Sequence, residues 1–553
     1  MTVTVRWLSA PPEIGRDRLD GIARQSGLVP HDAAGTDLAV AVVWSADPTL
    51  RYDSVHRRTT NETYFLQLGA TPGHLSTVTV TGTRSLRWAL VDLAERMRQG
   101  RWTPGEHTCG PAFRIRGVIE GFYGPPWTDE ARLDMVDFAS RHRFNTVLYA
   151  PKNDPYLRRL WRQPHDEQSR MPLEAMIERC RDRDIDMMVG LSPGLSIRYW
   201  CPRDLALLSA KACALVDLGA TRIALLFDDI PDHLQHPIDI QFFPDLATAH
   251  ARAANRLNED MPSDAPLIVC PTVYWGEGDE EYISRLADQL DPRIDVFWTG
   301  RAICSPAINA SEAAYFARVT RRPPLYWDNY PVNDVAMRHE MHIGPYQKRD
   351  PRLDFFSHGV MANAMEYPEA SKIALATIAD YLWDPSSYHP DQSWPKAIAQ
   401  VAGEADAVAM TAFADNVRAS CLSDPEPVRL TAALQRFAFE VEYGDADAAG
   451  HQLSTFALEL GAAADHLLGD AVENRALVNE LRPWLTKFRV GAAAVKALAI
   501  YATTAPISET GREVLAAFLT QLRSDPYRVF GDVLEMTIAD LISSDGNRAP
   551  PAG

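Results

Sequence analysis

Basic residues are scarce in this 553-residue chain: 55 Lys and Arg stand against 73 Asp and Glu, a formal net charge of −18. Broad nucleic-acid binding needs a basic surface to displace counterions from phosphates, so the balance argues against that class of partner. Cysteine is sparse as well. Cys109, Cys180, Cys201, Cys213, Cys270, Cys304 and Cys421 are odd in number and widely spaced, with no short pairs, which argues against a disulfide framework and against a zinc module. No apolar run approaches the ~18 residues of a membrane span. The opening MTVTVRWLSAPPEIGRDRLDG has neither the basic start nor the apolar stretch of a secretory signal. A cytoplasmic, reducing location is the expectation, although a mature chain freed of its signal would read the same. A repeat of fixed period, a low-complexity tract and a glycine-rich phosphate loop are also missing. What is present is ordinary globular material, 46% hydrophobic and 23% charged, enough for a large core and long enough for three or four domains of roughly 150 residues.

The first 110 residues read as a small α/β domain. DLAVAVVWS (37–45) and STVTVTGT (76–83) are β-type runs, and SLRWALVDLAERMRQG (85–100) is apolar at helical spacing with Gly100 to end it. RWTPGEHTCGPAF carries turn residues and no period, which puts a boundary near residue 110. From Arg114 short apolar runs alternate with helical stretches. The runs are 114–121, 145–151, 184–193, 221–230, 266–275, 294–300, 323–334 and 358–365, with helical segments such as 128–142, 204–219 and 311–320 between them. Eight strand-helix units over about 250 residues predict a (β/α)8 barrel across 111–395; a doubly wound open sheet is the alternative. Beyond it, 406–420, 428–443 and 477–502 are rich in Ala, Leu and Glu at helical spacing, predicting a helical domain over 396–545 and a frayed tail over 546–553.

A barrel of this kind carries its active site where strands end, so the strand ends are the place to look for chemistry. They hold Glu120-Gly121-Phe122-Tyr123, Lys152-Asn153-Asp154, Asp228-Asp229, Tyr274-Trp275, Trp298-Thr299, Trp327-Asp328-Asn329, Asn333-Asp334 and Asn363. Asp228 and Asp229 follow an apolar run, and adjacent carboxylates at one strand end do not ionise independently, which suits one anion and one acid. The blander reading is a helix cap and a first-turn acid. Tyr123, Tyr274, Trp298 and Trp327, with Lys152, Asn329, Asp334 and Asn363, offer rings and hydrogen bonds to a neutral polyol, which is what a sugar wants. Trp298 and Trp327 also suit plain packing of the barrel mouth, and Cys270 suits a small buried hydrophobe. A metal held by Asp228, Asp229 and His250 is the weaker alternative, since no two histidines stand at ligand spacing near the acids.

RGVIEGFYGPPW (116–127) and LYAPKNDPY (148–156) resemble motifs of glycoside hydrolase family 84, the O-GlcNAcases and bacterial β-N-acetylglucosaminidases, some called hyaluronidases. The resemblance continues through Asp228-Asp229, Tyr274, Trp298-Thr299-Gly300, WDNYPVND (327–334) and Asn363, over roughly 112–390. Asn153 departs from a usual Asp, and Ala364 stands where Pro is expected. The flanking domains are similar in architecture only.

The resemblance implies a retaining β-N-acetylglucosaminidase in which the substrate's own 2-acetamido oxygen attacks the anomeric carbon, the exception to the usual two-carboxylate scheme. It implies Asp228 as the anion that orients the acetamido N–H, Asp229 as general acid and base, and Tyr274 near the reacting centre. It implies sugar contacts from Gly121, Lys152, Asn329, Asp334 and Asn363, and an N-acetyl pocket from Trp327, Thr299 and Cys270. No cofactor or metal is expected, and no nucleic-acid or membrane partner. The substrate the resemblance implies is a GlcNAc-containing glycoside, with O-GlcNAc on protein Ser or Thr as the specific case. A non-catalytic glycan-binding barrel and a hydrolase of polysaccharide such as hyaluronan are the alternatives, and oligomeric state is left open.

Overall fold

A strand covered by helices on one side and by a filled barrel on the other is buried on both faces, so it reads as a near-continuous apolar run. The computed structural model, which describes residues 4–8, 14–30, 39–45, 52–53, 58–59, 61–70, 76–418, 420–422, 427–503 and 507–544, contains eight such strands. They are β9 (Ile115–Glu120), β10 (Thr146–Tyr149), β11 (Asp186–Leu191), β12 (Arg222–Leu226), β13 (Leu267–Cys270), β14 (Asp295–Trp298), β15 (Leu325–Asp328) and β16 (Gly359–Asn363). All pair in parallel and in chain order, and β16 closes on β9. Each lies inside the run expected from sequence. Alternate residues fill the interior, among them Ile119, Leu148, Met188, Leu226, Phe297 and Met361. Their neighbours, such as Val118, Val147, Val189 and Leu225, face the surrounding helices.

One unit of the expected eight is incomplete. Between β15 and β16 the chain forms no α-helix, only 3-10 turns at Val335–Met337 and Leu353–Phe355. Buried side chains hold this segment instead. Arg349 donates to both oxygens of Asp328, at 2.9 and 2.7 Å, and the Tyr346 hydroxyl donates to the same carboxylate at 2.5 Å. The seventh strand is thereby left with a long loop over the barrel's C-terminal face.

Before the barrel, β1 (Thr4–Trp7), β2 (Val29–Pro30), β3 (Ala39–Trp44), β6 (Tyr64–Leu68), β7 (Ser76–Val80) and β8 (Gly105–Cys109) make a sheet in the order β2-β1-β3-β7-β6-β8. A pair formed by β4 (Tyr52–Asp53) and β5 (Arg58–Thr59) stands apart. The segment expected to be turn-like before residue 110 is strand β8, antiparallel to β6. It escapes the pattern because one face is exposed and the other only half-buried, through His107 and Cys109, so little selects apolar residues there. Of the first expected β-run, Asp37 and Leu38 lie outside the described residues.

This sheet region meets the barrel through Glu62, which is buried. It accepts from Arg116 of β9, from Asn145 Nδ2 at 2.9 Å and from Trp88 Nε1 at 3.1 Å. Burial alone would raise the Glu62 carboxyl; the charges of Arg116 and Arg84 outweigh it and hold the group below its ordinary value. The stability this carboxylate contributes is present above that ordinary value and lost as pH falls through the depressed one.

After the barrel the described residues are helical. Val428–Tyr443, Ala446–Leu468, Arg475–Tyr501 and Glu509–Ser524 pack a second core. That core includes Met341, Ile343, Met365 and Ile373 from the barrel side. Trp484 Nε1 donates to the His339 carbonyl at 2.9 Å, and Trp394 Nε1 to the Ile343 carbonyl at 2.7 Å. Helix Pro390–Ala402 runs unbroken through residue 395, and the helix expected over 406–420 is the shorter Ala407–Ala414. The expected tail over 546–553 lies outside the described residues. None of the helices among those residues is long and apolar enough to cross a membrane.

Candidate active site

At the C-terminal mouth of the barrel lies a cavity of about 440 Å³. The eleven residues to which the resemblance gives a catalytic or sugar-binding role all line it: Gly121, Lys152, Asp228, Asp229, Cys270, Tyr274, Thr299, Trp327, Asn329, Asp334 and Asn363.

Backbone geometry explains how two consecutive acids both reach it. Along β12 side chains alternate, with Leu226 inside the barrel and Phe227 outside, stacked on His250 at 3.9 Å. Asp228 returns inward, so an extended Asp229 would point away. Instead Asp229 has φ +55, in the left-handed region that non-glycine residues rarely occupy, and its carboxylate turns back to the cavity.

The two acids then meet different surroundings. Asp228, its side chain 10% exposed, accepts from Lys152 Nζ at 2.8 Å. Burial pushes its carboxyl up, yet the charge and hydrogen bond of Lys152 more than offset that and hold it below the ordinary carboxylate range. Lys152 is itself pulled down by burial and raised further by Asp228, with a net upward shift. Asp229, at 34% exposure, accepts from the Tyr123 hydroxyl at 2.8 Å and the Tyr274 hydroxyl at 3.2 Å, and lies 3.5 Å from Lys152 Nζ. Burial raises both tyrosine hydroxyls, keeping them neutral donors. Asp334, pushed up by burial, receives the Tyr123 backbone N–H at 2.7 Å.

The opposite wall is a fixed network. Trp327 Nε1 and Asn363 Nδ2 both donate to Asn329 Oδ1 at 3.0 Å, and Asn329 Nδ2 donates to the Ile303 carbonyl at 2.8 Å. Gly121 lets the Trp327 ring approach closely, since a Cβ there would stand 2.7 Å from it. Thr299 Oγ1 donates to the Ala302 carbonyl at 2.8 Å, and burial raises the Cys270 thiol, which favours a packing role over a thiolate. Two acceptors are left over. Asp228 Oδ1 and Asn363 Oδ1 are buried and have no hydrogen-bond partner among the described residues. Buried orphan acceptors are rare and call for an explanation; two on one cavity ask for a ligand that brings N–H or O–H donors.

Other strand-end candidates point elsewhere. Trp298 alternates outward from Phe297 and packs on Phe316 of helix Ala310–Thr320 at 4.9 Å, so the sugar-stacking role considered for it does not hold. Asp328 is committed to Arg349. The metal reading fails too: His250 is fully buried, bonded to the Tyr199 and Tyr282 hydroxyls at 2.8 Å each. The described residues contain no cluster of three or more His, Cys, Asp or Glu able to hold an ion. Sequence reasoning took Tyr123 for a stacking platform and missed its bond to Asp229. It also missed Ile303, Cys304, Val332 and Val335–Met337 of the lining; all but Val332 lie outside the expected strand runs, where no periodicity marks them.

Residues 116–415 match the sequence model of the beta-N-acetylglucosaminidase family. The chain is 31% identical over 284 residues to the Protein O-GlcNAcase of Rattus norvegicus, covering 50% of this chain and 31% of that protein. It is also 31% identical over 271 residues to the Mus musculus protein, covering 48% and 29%. It thus spans about a third of the length of the curated relatives it matches. Among solved structures, a point mutant of the Thermobaculum terrenum O-GlcNAc hydrolase superposes with a TM-score of 0.74 at 34% identity, over 78% of this chain and 95% of that one. The structure of CpGH84B shares the fold, with a TM-score of 0.82 at 24% identity over 98% and 96%.

Proposed function

From the premise that this chain belongs to glycoside hydrolase family 84, the beta-N-acetylglucosaminidases, we propose that it is a retaining β-N-acetylglucosaminidase that uses the substrate's 2-acetamido group as nucleophile and removes O-GlcNAc from protein Ser or Thr. The observation that carries this reading is the unequal pair of acids. A buried anion with one free acceptor, Asp228 Oδ1, suits an acetamido N–H whose positive charge grows as the ring forms. A more exposed neighbour, Asp229, suits proton traffic with the leaving group and with water.

In the first step the acetamido carbonyl oxygen bonds to the anomeric carbon. The bond to the aglycone oxygen breaks, and Asp229 gives that oxygen its proton. Asp228 stabilises the resulting oxazolinium electrostatically, in a cavity that already holds its charge fixed. In the second step Asp229 takes a proton from water as the water oxygen bonds to the anomeric carbon. The acetamido group is restored, and two inversions give net retention. Tyr274 and Tyr123 orient Asp229. The Gly121 backbone, Lys152, Asn329, Asp334 and Asn363 contact sugar hydroxyls, while Trp327, Thr299 and Cys270 enclose the N-acetyl methyl. Hydrolysis of hyaluronan-type polysaccharide is the second reading.

An aryl β-GlcNAc is expected to turn over with the β-anomer as first product, seen by NMR before mutarotation, while the matching aryl β-glucoside is inert and a thiazoline mimic of the oxazoline inhibits strongly. Comparable turnover of the glucoside, or an α-anomer as first product, contradicts the mechanism.

Lys152 carries a separate expectation. The acid limb of kcat/KM that reports Asp228 lies below the ordinary carboxylate range, because the anion survives as pH falls until the depressed value is reached. In Lys152→Met burial is opposed only by weaker influences such as the charge of Arg158, so Asp228 takes up its proton at higher pH and that limb moves up. A limb that stays in place shows that Lys152 does not set the charge of Asp228.

A further inference from the structure

Beside the catalytic cavity is a second one of about 480 Å³, and Lys152 lines both. The turn segment 155–162 after β10 brings three arginines to its neighbourhood. Arg162 is committed, with Nε and Nη2 held by Asp204 at 3.1 and 2.8 Å and Nη1 donating to Ser196 Oγ at 3.1 Å. Arg158, half-buried, and Arg159, exposed, both line the second cavity. Neither guanidinium makes a hydrogen bond or ion pair among the described residues. The one carboxylate of this cavity, Asp154, is already occupied. It accepts from the Tyr149 hydroxyl at 3.2 Å and the Tyr156 N–H at 2.8 Å, and stands 3.7 Å from His165. Lys152, which lines both cavities and donates to Asp228 at 2.8 Å, places this site beside the acids, and the charge of Arg158 helps hold the Asp228 carboxyl down. In a chain whose net charge is −18, two adjacent uncommitted guanidiniums there run against the general balance.

We infer that this second cavity receives an anionic side chain of the aglycone, a carboxylate or phosphate on a peptide within a few residues of the glycosylated Ser or Thr. Guanidinium forks match those groups in a bidentate way. Leu195, 54% exposed, adds an apolar side chain to the lining beside these charges, which suits a peptide better than a polyhydroxylated uronate. The inference rests on the β-N-acetylglucosaminidase activity proposed above and adds a preference among its substrates.

The test uses the full chain and GlcNAc-serine peptides in which single Gln residues flanking the sugar are replaced in turn by Glu. At low salt at least one Glu position is expected to raise kcat/KM about fivefold over the Gln parent, the scale of a partly exposed charge pair. The gain is expected to shrink as salt screens it, and to disappear in R158Q and in R159Q. R159Q is expected to keep wild-type turnover of an aryl β-GlcNAc. Equal rates for every Glu and Gln peptide overturn the inference, as does a gain that survives in the double variant. A β-GlcNAc-glucuronate disaccharide favoured over its glucose counterpart, with the peptides flat, replaces the peptide by a uronate glycan and overturns it too. Intact aryl turnover with flat peptides defeats this inference alone; absence of aryl turnover in the wild type defeats the activity beneath it.

Discussion

Asp229→Ala is expected to lose activity in proportion to how badly the leaving group needs a proton. A nitrophenolate departs almost unaided, whereas the alkoxide of serine does not leave unprotonated. General acid assistance is worth about 10²–10⁴-fold, so the loss on a serine-linked or alkyl GlcNAc is expected to reach that range while the loss on an activated aryl substrate is far smaller. The measurement is kcat/KM across phenols of graded pKa. A steep dependence for Asp229→Ala beside a flatter one for the wild type assigns the acid to Asp229. The Tyr123 and Tyr274 hydroxyls bonded to this carboxylate remain in the variant, so a lost tyrosine does not explain the difference.

Asp228→Ala is expected to behave otherwise, falling by about 10²–10³-fold on good and poor leaving groups alike, the scale of losing one fixed electrostatic partner of the transition state. Its target is the acetamido group, which reacts whatever the aglycone. Asp228→Asn keeps the shape, removes the charge and is expected to show the same uniform loss, which separates a missing charge from a disturbed pocket. If Asp228→Ala is the steep variant and Asp229→Ala the flat one, the roles are exchanged.

Much of this was legible in the sequence, for identifiable reasons. Barrel strands buried on both faces are mostly apolar, with polar residues such as Arg116 of β9 kept only where a buried partner meets them, so Arg222–Leu226 and its counterparts stood out as apolar runs. Because the active site of such a barrel gathers where strands end, many of the residues at and just after those ends, Asp228, Asp229, Tyr274 and Asn363 among them, line the cavity. What alternation hides was misread. Trp298 looks like a strand-end platform until the pleat sends Phe297 inward and Trp298 outward. The left-handed turn at Asp229 has the opposite effect, keeping two neighbours on one face where a regular strand would separate them. Edge strand β8 and the helix-free passage after β15 left no periodic signal, because the first is exposed on one face and only half-buried on the other and the second is held by the Asp328, Arg349 and Tyr346 contacts. The pairing of Lys152 with Asp228 joins β10 to β12 across the mouth, a contact that spacing along the chain does not encode.

The claim at the centre of this account is that the substrate supplies its own nucleophile. The most direct measurement is the rate on a series of aryl β-glucosaminides whose N-acetyl group carries zero, one, two or three fluorines. Each fluorine withdraws electron density from the carbonyl oxygen and leaves the glycosidic bond and aryl group as they were. If that oxygen attacks the anomeric carbon, kcat falls steeply and monotonically along the series; a kcat that stays level from acetyl to trifluoroacetyl contradicts it and calls for a nucleophile from the protein.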